Sequence, residues 1–223
     1  MEPQFYKGNR DAFMEKLAPG SLALFFSGVP VRKTADEDYA YFANRNFVYL
    51  TGMEQKDTIL MLEKDASGYR ETLFILPPNL IEERWTGARM KPEEIEAASM
   101  ISNFAYRDTF EEELKKVLAS GRIEKVYLDI DRMDGQVVVS GADSMETFLK
   151  QEYPNLLIEN SLPILKKLRL IKKPCEIRAM EKAQEITKAG ILAMMTHSKP
   201  GMYEYQYKAE YDYALAQHGV LEA

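Results

Sequence analysis

The first 77 residues carry four short apolar runs, SLALFFSG (21–28), NFVYLTG (46–52), TILMLEK (58–64) and ETLFILP (71–77), each bounded by Gly, Pro, Asp or Lys. Runs of this length, rich in β-branched and aromatic residues, read as strands. The last two are separated by the polar stretch 63–70 with its Ser67-Gly68 pair, which predicts a hairpin and hence an antiparallel portion of the sheet. A sheet must bury at least one face, so the flanking segments have to supply cover. Residues 9–17 place Phe13, Met14 and Leu17 at helical spacing before Pro19-Gly20, and 92–100 and 108–119 are amphipathic with helix-start signals at Pro92 and at Asp108 or Thr109. Strand character returns at 125–130 and 156–159 around a helix at 144–152. The alternation predicts an α/β fold, a mixed β-sheet flanked by helices. Residues 31–52 and 59–76 are expected to supply central strands, with Phe47, Tyr49, Ile59, Met61, Phe74 and Leu76 in the core.

After Pro163 the pattern changes. Residues 164–173 are short and basic-apolar and read as a linker between a first domain at 1–163 and a last segment at 174–223. That segment predicts two helices, 174–197 and 203–218, interrupted by Lys199-Pro200-Gly201. Two amphipathic helices without a following sheet cannot bury their apolar faces except against each other or a neighbour, so the segment reads as the opening of an unfinished domain.

Charge and composition exclude several classes. The chain of 223 residues has 29 Lys and Arg against 35 Asp and Glu, a net charge of −6, and lacks the basic excess that drives nucleic-acid binding. The single cysteine, Cys175, supports neither an internal disulfide nor a cysteine-based zinc site, and the N-terminus has no apolar signal region. A cytoplasmic location is expected. No apolar run approaches the ~20 residues of a membrane span.

Candidate chemistry is sparse. The two histidines, His197 and His218, fall at expected helix ends, where the helix dipole accounts for them, and neither sits in a metal or triad pattern. Asp129, Asp131, Asp134 and Gly135 approach a calcium-loop pattern, but the third Asp comes one residue late and Ser140 stands where the closing Glu belongs, so a solvated turn after a strand is expected. The stretch from Glu82 to Arg89 is more informative. It holds the only tryptophan, Trp85, between Arg84 and Arg89 on what reads as a polar loop. Either the indole meets a partner, as Trp and Arg do at interface hot spots, or it folds against its own domain under a stacked arginine.

Four stretches together resemble the creatinase/aminopeptidase P family: VRKTADEDYAYFANRNFVYLTG (31–52), ERWTGAR (83–89), LRLIKKPCEIRAMEKAQEIT (168–187) and KPGMYEYQYKAEYDYALAQHG (199–219). Order and spacing agree along essentially the whole chain. It departs from the family pattern at Asn44-Arg45-Asn46 and at Lys173-Pro174-Cys175. The resemblance implies a creatinase-type N-terminal domain followed by the first two helices of an incomplete pita-bread catalytic domain. In the peptidases of the family that domain binds two divalent metal ions, manganese by this resemblance, on Asp, Asp, His, Glu and Glu. No segment of this chain matches those ligands, so no catalytic or metal residue is carried over and the chain itself is expected to hold no cofactor and to be inactive.

The function implied is that of the oligomerisation and substrate-cleft domain of a Xaa-Pro aminopeptidase, which removes an N-terminal residue preceding proline. A non-catalytic peptide-binding module of the same fold, a prolidase and a creatinase are the alternatives. The partners implied are a second copy of the chain, most simply in a homodimer, and proline-containing peptides. Trp85, Arg89, Arg84 and Tyr49 are the candidates for contacts made in trans at the interface or the neighbouring cleft.

Overall fold

The computed structural model describes residues 1–132 and 139–220. They form two compact units, Met1–Leu170 and Ile171–Ala223. In the first unit the elements run α1 (Pro3–Met14), β1 (Ser21–Phe26), β2 (Arg32–Thr34), β3 (Glu37–Asp38), α2 (Arg45–Thr51), β4 (Ile59–Lys64), β5 (Tyr69–Ile75), α3 (Leu80–Thr86), α4 (Pro92–Ser99) and β6 (Phe104–Tyr106). A 3-10 turn at Arg107–Thr109 leads into α5 (Phe110–Ala119), β7 (Lys125–Leu128), α6 (Gly141–Glu152), β8 (Leu157–Asn160) and α7 (Leu162–Leu170).

The main sheet has the order β6-β5-β4-β1-β7-β8. Strand β4 runs antiparallel to both its neighbours, and the pairs β1/β7, β7/β8 and β5/β6 are parallel. At its centre Leu24 lies opposite Met61 on one side and Leu128 on the other. The predicted hairpin is β4–β5, with Ile59 facing Phe74 and a turn in which the Asp65 carboxylate accepts from the backbone of Ser67 and Gly68 at 2.8 and 3.0 Å. Both faces of the sheet are covered. On one, Ala23, Phe25, Leu60, Leu62, Leu73 and Ile75 meet α1, α2, α4 and α7; on the other, Leu22, Leu24, Ile59, Met61, Phe74 and Val126 meet α5 and α6. Two-sided burial explains why these strands read as continuous apolar runs and not as alternating ones.

The main correction concerns residues 31–52, which supply no central strand. β2 and β3 pair with each other in a small exposed hairpin, and NFVYLTG is the helix α2. Its start is fixed by Asn44, whose side chain accepts from the backbone of Asn46 and Phe47 at 2.8 and 2.9 Å. Gly52 ends it at φ 75°, where a side chain would also collide with the ring of Tyr6. Caps at both ends and burial of Phe47 and Leu50 thus outweigh the β-preference of Phe, Val and Tyr. Leu76, expected in the core, lies past the end of β5 and is half-buried. Helix α1 begins at Pro3, suited by its fixed φ to a first turn, and stops at Met14, earlier than the spacing of Leu17 implied. Residues 162–170, mostly within the stretch read as a linker, are the helix α7, whose Leu165 is fully buried in the first unit.

Helix α1 is locked to the sheet by a group that no pattern marked. Arg10 is 0% exposed and holds Glu71 of β5 through Nε–Oε2 at 2.6 Å and Nη2–Oε1 at 3.1 Å, while donating to the carbonyls of Leu50 and Ser99 at 2.8 and 2.9 Å. One guanidinium therefore joins α1, β5 and the ends of α2 and α4.

The second unit consists of α8 (Pro174–His197) and α9 (Glu204–Ala216). They approach closely at Gly190, where a Cβ would sit 2.5 Å from the ring of Tyr211. His197 Nδ1 lies 2.5 Å from Glu210 Oε2, and the hydroxyls of Ser198 and Tyr207 are 2.8 Å apart. Ile177, Met180, Ile191, Met195, Tyr205 and Tyr213 are exposed within the unit. Among the described residues no helix is long and apolar enough to cross a membrane.

Candidate functional site

The first four residues of the ERWTGAR stretch lie in a helix, α3, and only Gly87 to Arg89 follow it as irregular backbone. Following Pro77-Pro78, Asn79 accepts at its side chain from the backbone of Ile81 and Glu82, both at 3.2 Å, and Glu83 reaches back to the Asn79 N–H at 2.8 Å. Gly87 at φ 90° ends the helix. A start signal of Asn followed by two acidic residues was present in the sequence and marks this helix as well as any other in the chain.

The polar side of α3 is pinned. Glu82 takes Lys56 Nζ at 3.1 Å on one carboxylate oxygen and Arg89 Nη2 at 2.5 Å on the other, and Arg89 also donates to the carbonyl of Pro77. Lys56 first, then Arg89, holds the Glu82 carboxyl below the usual carboxylate range. Arg89 is thus committed to fixing α3 and does not stack on the indole. The other side is bare: Leu80 is 78%, Ile81 77% and Trp85 87% exposed, and Arg84 is exposed beside them. Of the two readings open for Trp85, packing against its own domain fails. Ile81 and Trp85, four residues apart on a helix, share one face. The arrangement is a short helix whose orientation is set by a three-member ion-pair network and whose apolar face meets solvent.

Tyr49 does not join this group. It is buried on α2, in edge contact with Phe5 at 5.8 Å between centroids and with the Arg169 guanidinium 5.6 Å over its face, and its hydroxyl lies 3.5 Å from the Leu168 carbonyl. Its surroundings are those of a core residue between α1 and α7.

Asp129, expected in a solvated turn, is 6% exposed at the end of β7, and Asp131 beside it is exposed; Asp134 and Gly135 lie outside the described residues. Among the described residues no three His, Cys, Asp or Glu side chains cluster to hold a metal ion, so the two-metal centre implied by the family resemblance does not fit the groups present.

A helix-covered mixed sheet with this order, carrying an exposed tryptophan helix after its β4–β5 hairpin, defines an N-terminal α/β domain of the creatinase type. Residues 6–127 match the family described as aminopeptidase P, N-terminal domain, and the chain belongs to that family. Among curated relatives, the Xaa-Pro aminopeptidase of Escherichia coli is 28% identical over 97% of this chain and 49% of its own length. A Bacillus anthracis protein assigned as an aminopeptidase P superposes with a TM-score of 0.93 at 30% identity, covering 98% of this chain and 52% of that one. A zinc-substituted E. coli aminopeptidase P in complex with product gives a TM-score of 0.82 at 27% identity, over 99% of this chain and 51% of that one. The chain therefore spans about half the length of the relatives it matches.

Proposed function

We propose that this chain serves as the N-terminal unit of a Xaa-Pro aminopeptidase, joining two subunits in a homodimer and offering Trp85 to the peptide cleft of the neighbouring subunit. The removal of an N-terminal residue preceding proline is then carried out in a catalytic half that supplies the ligands for two divalent metal ions, manganese in this proposal, and the protein works in the cytoplasm. The observation that carries the reading is the combination at α3 of a fixed backbone and a bare indole. An unpartnered large apolar side chain forfeits roughly 1.5 to 3 kcal/mol of burial, and three neighbouring ones on an ordered helix are the composition of a contact surface. Arg84, exposed next to Trp85, is placed to add a charge-assisted hydrogen bond to a carbonyl or carboxylate of whatever docks there. Arg89 acts indirectly, by positioning the helix.

The test is kinetic. In the protein expressed from its complete reading frame, Trp85→Ala should raise KM for a Xaa-Pro tripeptide by about tenfold, the equivalent of ~1.4 kcal/mol, with metal content unchanged. Unaltered KM and kcat, or absence of any Xaa-Pro cleavage by the unsubstituted protein with Mn²⁺, would refute the reading.

A further inference from the structure

A crevice of about 790 Å³ opens in the first unit at the carboxyl ends of the parallel strands β1 and β7, between α5 and the first turns of α6. No residue of α3 lines it, so the function proposed above makes no use of it. Its size lies within the ~300–1,000 Å³ of small-molecule sites, and open α/β sheets place their ligands outside the carboxyl ends of strands. Much of its wall is apolar, with Phe26, Phe42, Met145 and Phe148 supplying the large surfaces.

The charges in the crevice select the ligand. Asp57 and Arg107 neutralise each other through a 3.0 Å ion pair. The N-terminus of α6, which would otherwise attract an anion, is closed by its own cap. Ser140 Oγ accepts from the Asp143 N–H at 3.1 Å, and the Asp143 carboxylate accepts from the Ser140 N–H at 3.0 Å and its hydroxyl at 2.7 Å. Two lining carboxylates remain, Glu111 and Asp129.

Asp129 is the informative one, being 94% buried by its 6% exposure and yet part of the cavity wall. Its two oxygens accept from the Asn46 amide at 2.9 and 3.0 Å. These bonds fix the carboxylate without neutralising it, and a carboxylate has about four lone-pair sites. Arg169, 2.5 Å from Asn46 Oδ1, stands behind the amide and offsets the charge in part, while Asp131 adds to it. Burial, the largest influence, pushes the Asp129 carboxyl up from its ordinary value.

We propose that this crevice binds a small organic cation, an ammonium group on an apolar or aromatic body, with the ammonium on Asp129 and the body among Phe26, Met145 and Phe148. A cation there would supply the counter-charge that the neutral Asn46 amide does not, and the phenyl faces would favour it further.

The proposal is tested on the full chain by calorimetric titration with three probes of one shape, phenethylamine, phenethyl alcohol and phenylacetate. Phenethylamine should bind saturably and at least about tenfold tighter than the other two, the size of effect expected for a charge-assisted hydrogen bond. Asp129→Asn should abolish that preference. Because Asp129 is buried and its variant could fold poorly, Ser144→Trp serves as a second test: Ser144 lines the crevice from an exposed position on α6, and the indole should block all three probes while leaving the melting temperature unchanged. Binding of the alcohol or the acid as tight as that of the amine, no saturable binding of the amine, a preference for the amine that survives in a folded Asp129→Asn variant, or amine binding that survives Ser144→Trp would overturn it.

Discussion

Replacing Arg10 by Met keeps the length and packing of the side chain but removes the guanidinium that ties α1 to the sheet. Four hydrogen bonds are lost, two to Glu71 and one each to the carbonyls of Leu50 and Ser99. One-sided removal of a buried ion pair costs about 3–5 kcal/mol, and each carbonyl left without a donor about 1–3 kcal/mol when water cannot reach it. The Glu71 side chain is 17% exposed, so water can rehydrate it in part, which makes the expected loss ~4 kcal/mol, below the plain sum. Urea unfolding followed by far-ultraviolet circular dichroism measures it, with the slope unchanged if both states keep their compactness. In Arg10→Met/Glu71→Leu the orphaned carboxylate is gone, and roughly half of the loss should return, the remainder belonging to the two carbonyls. A single-variant loss under ~1 kcal/mol, or a double variant less stable than the single, would refute the claim that this pair fastens α1.

Phe74, fully buried with its ring 5.1 Å from that of Phe110, should cost ~3–5 kcal/mol as Phe74→Ala in the same melts; a loss below ~1 kcal/mol would contradict the two-sided packing of the sheet. Asp143 is held below its ordinary pKa of 3.8 by the Ser140 hydroxyl first, then against burial by the Ser140 N–H and Arg132. A lowered folded-state pKa means stability that is complete above the unfolded value and lost as pH falls through the folded one, so Asp143→Ala should be less stable than the parent at neutral pH and converge with it under strong acid; a gap that stays constant with pH would refute this. In the second unit, amides of residues 176–195 should exchange faster than those of 48–62 in dilute protein, because α8 leaves Ile177, Met180, Ile191 and Met195 without cover; equal protection would contradict it.

What could be read in the sequence was what repeats or punctuates. Strands β1, β4 and β5 announce themselves as apolar runs, and α4, α8 and the α8–α9 break are marked by Pro92, Pro174 and Pro200-Gly201. The misreadings of α2 and α3 share one cause, the weighting of composition over caps. Phe47, Val48 and Tyr49 have strand preferences, yet Asn44 and Gly52 bracket one short helix; the polar character of 82–89 suggested a loop, yet Asn79 followed by Glu82 and Glu83 is a helix start. Arg10 and Asp129 were illegible for a different reason. Each is a charged residue with no periodicity, and its burial depends on partners 61 and 83 residues away, Glu71 and Asn46, that only the folded sheet brings into reach. The crevice beside Asp129 is likewise a product of topology, assembled from segments between Phe26 and Phe148 that no local pattern connects.

Trp85 is the only tryptophan, so its fluorescence reports on one site without ambiguity. Acrylamide quenching measured across a protein dilution series, with sedimentation velocity on the same samples, tests the proposed role of α3 most directly. The account predicts a dimer at tens of micromolar whose indole is shielded from the quencher, and full quenching once dilution gives monomer. A chain that stays monomeric, or one that dimerises with Trp85 as open to acrylamide as in the monomer, would contradict it.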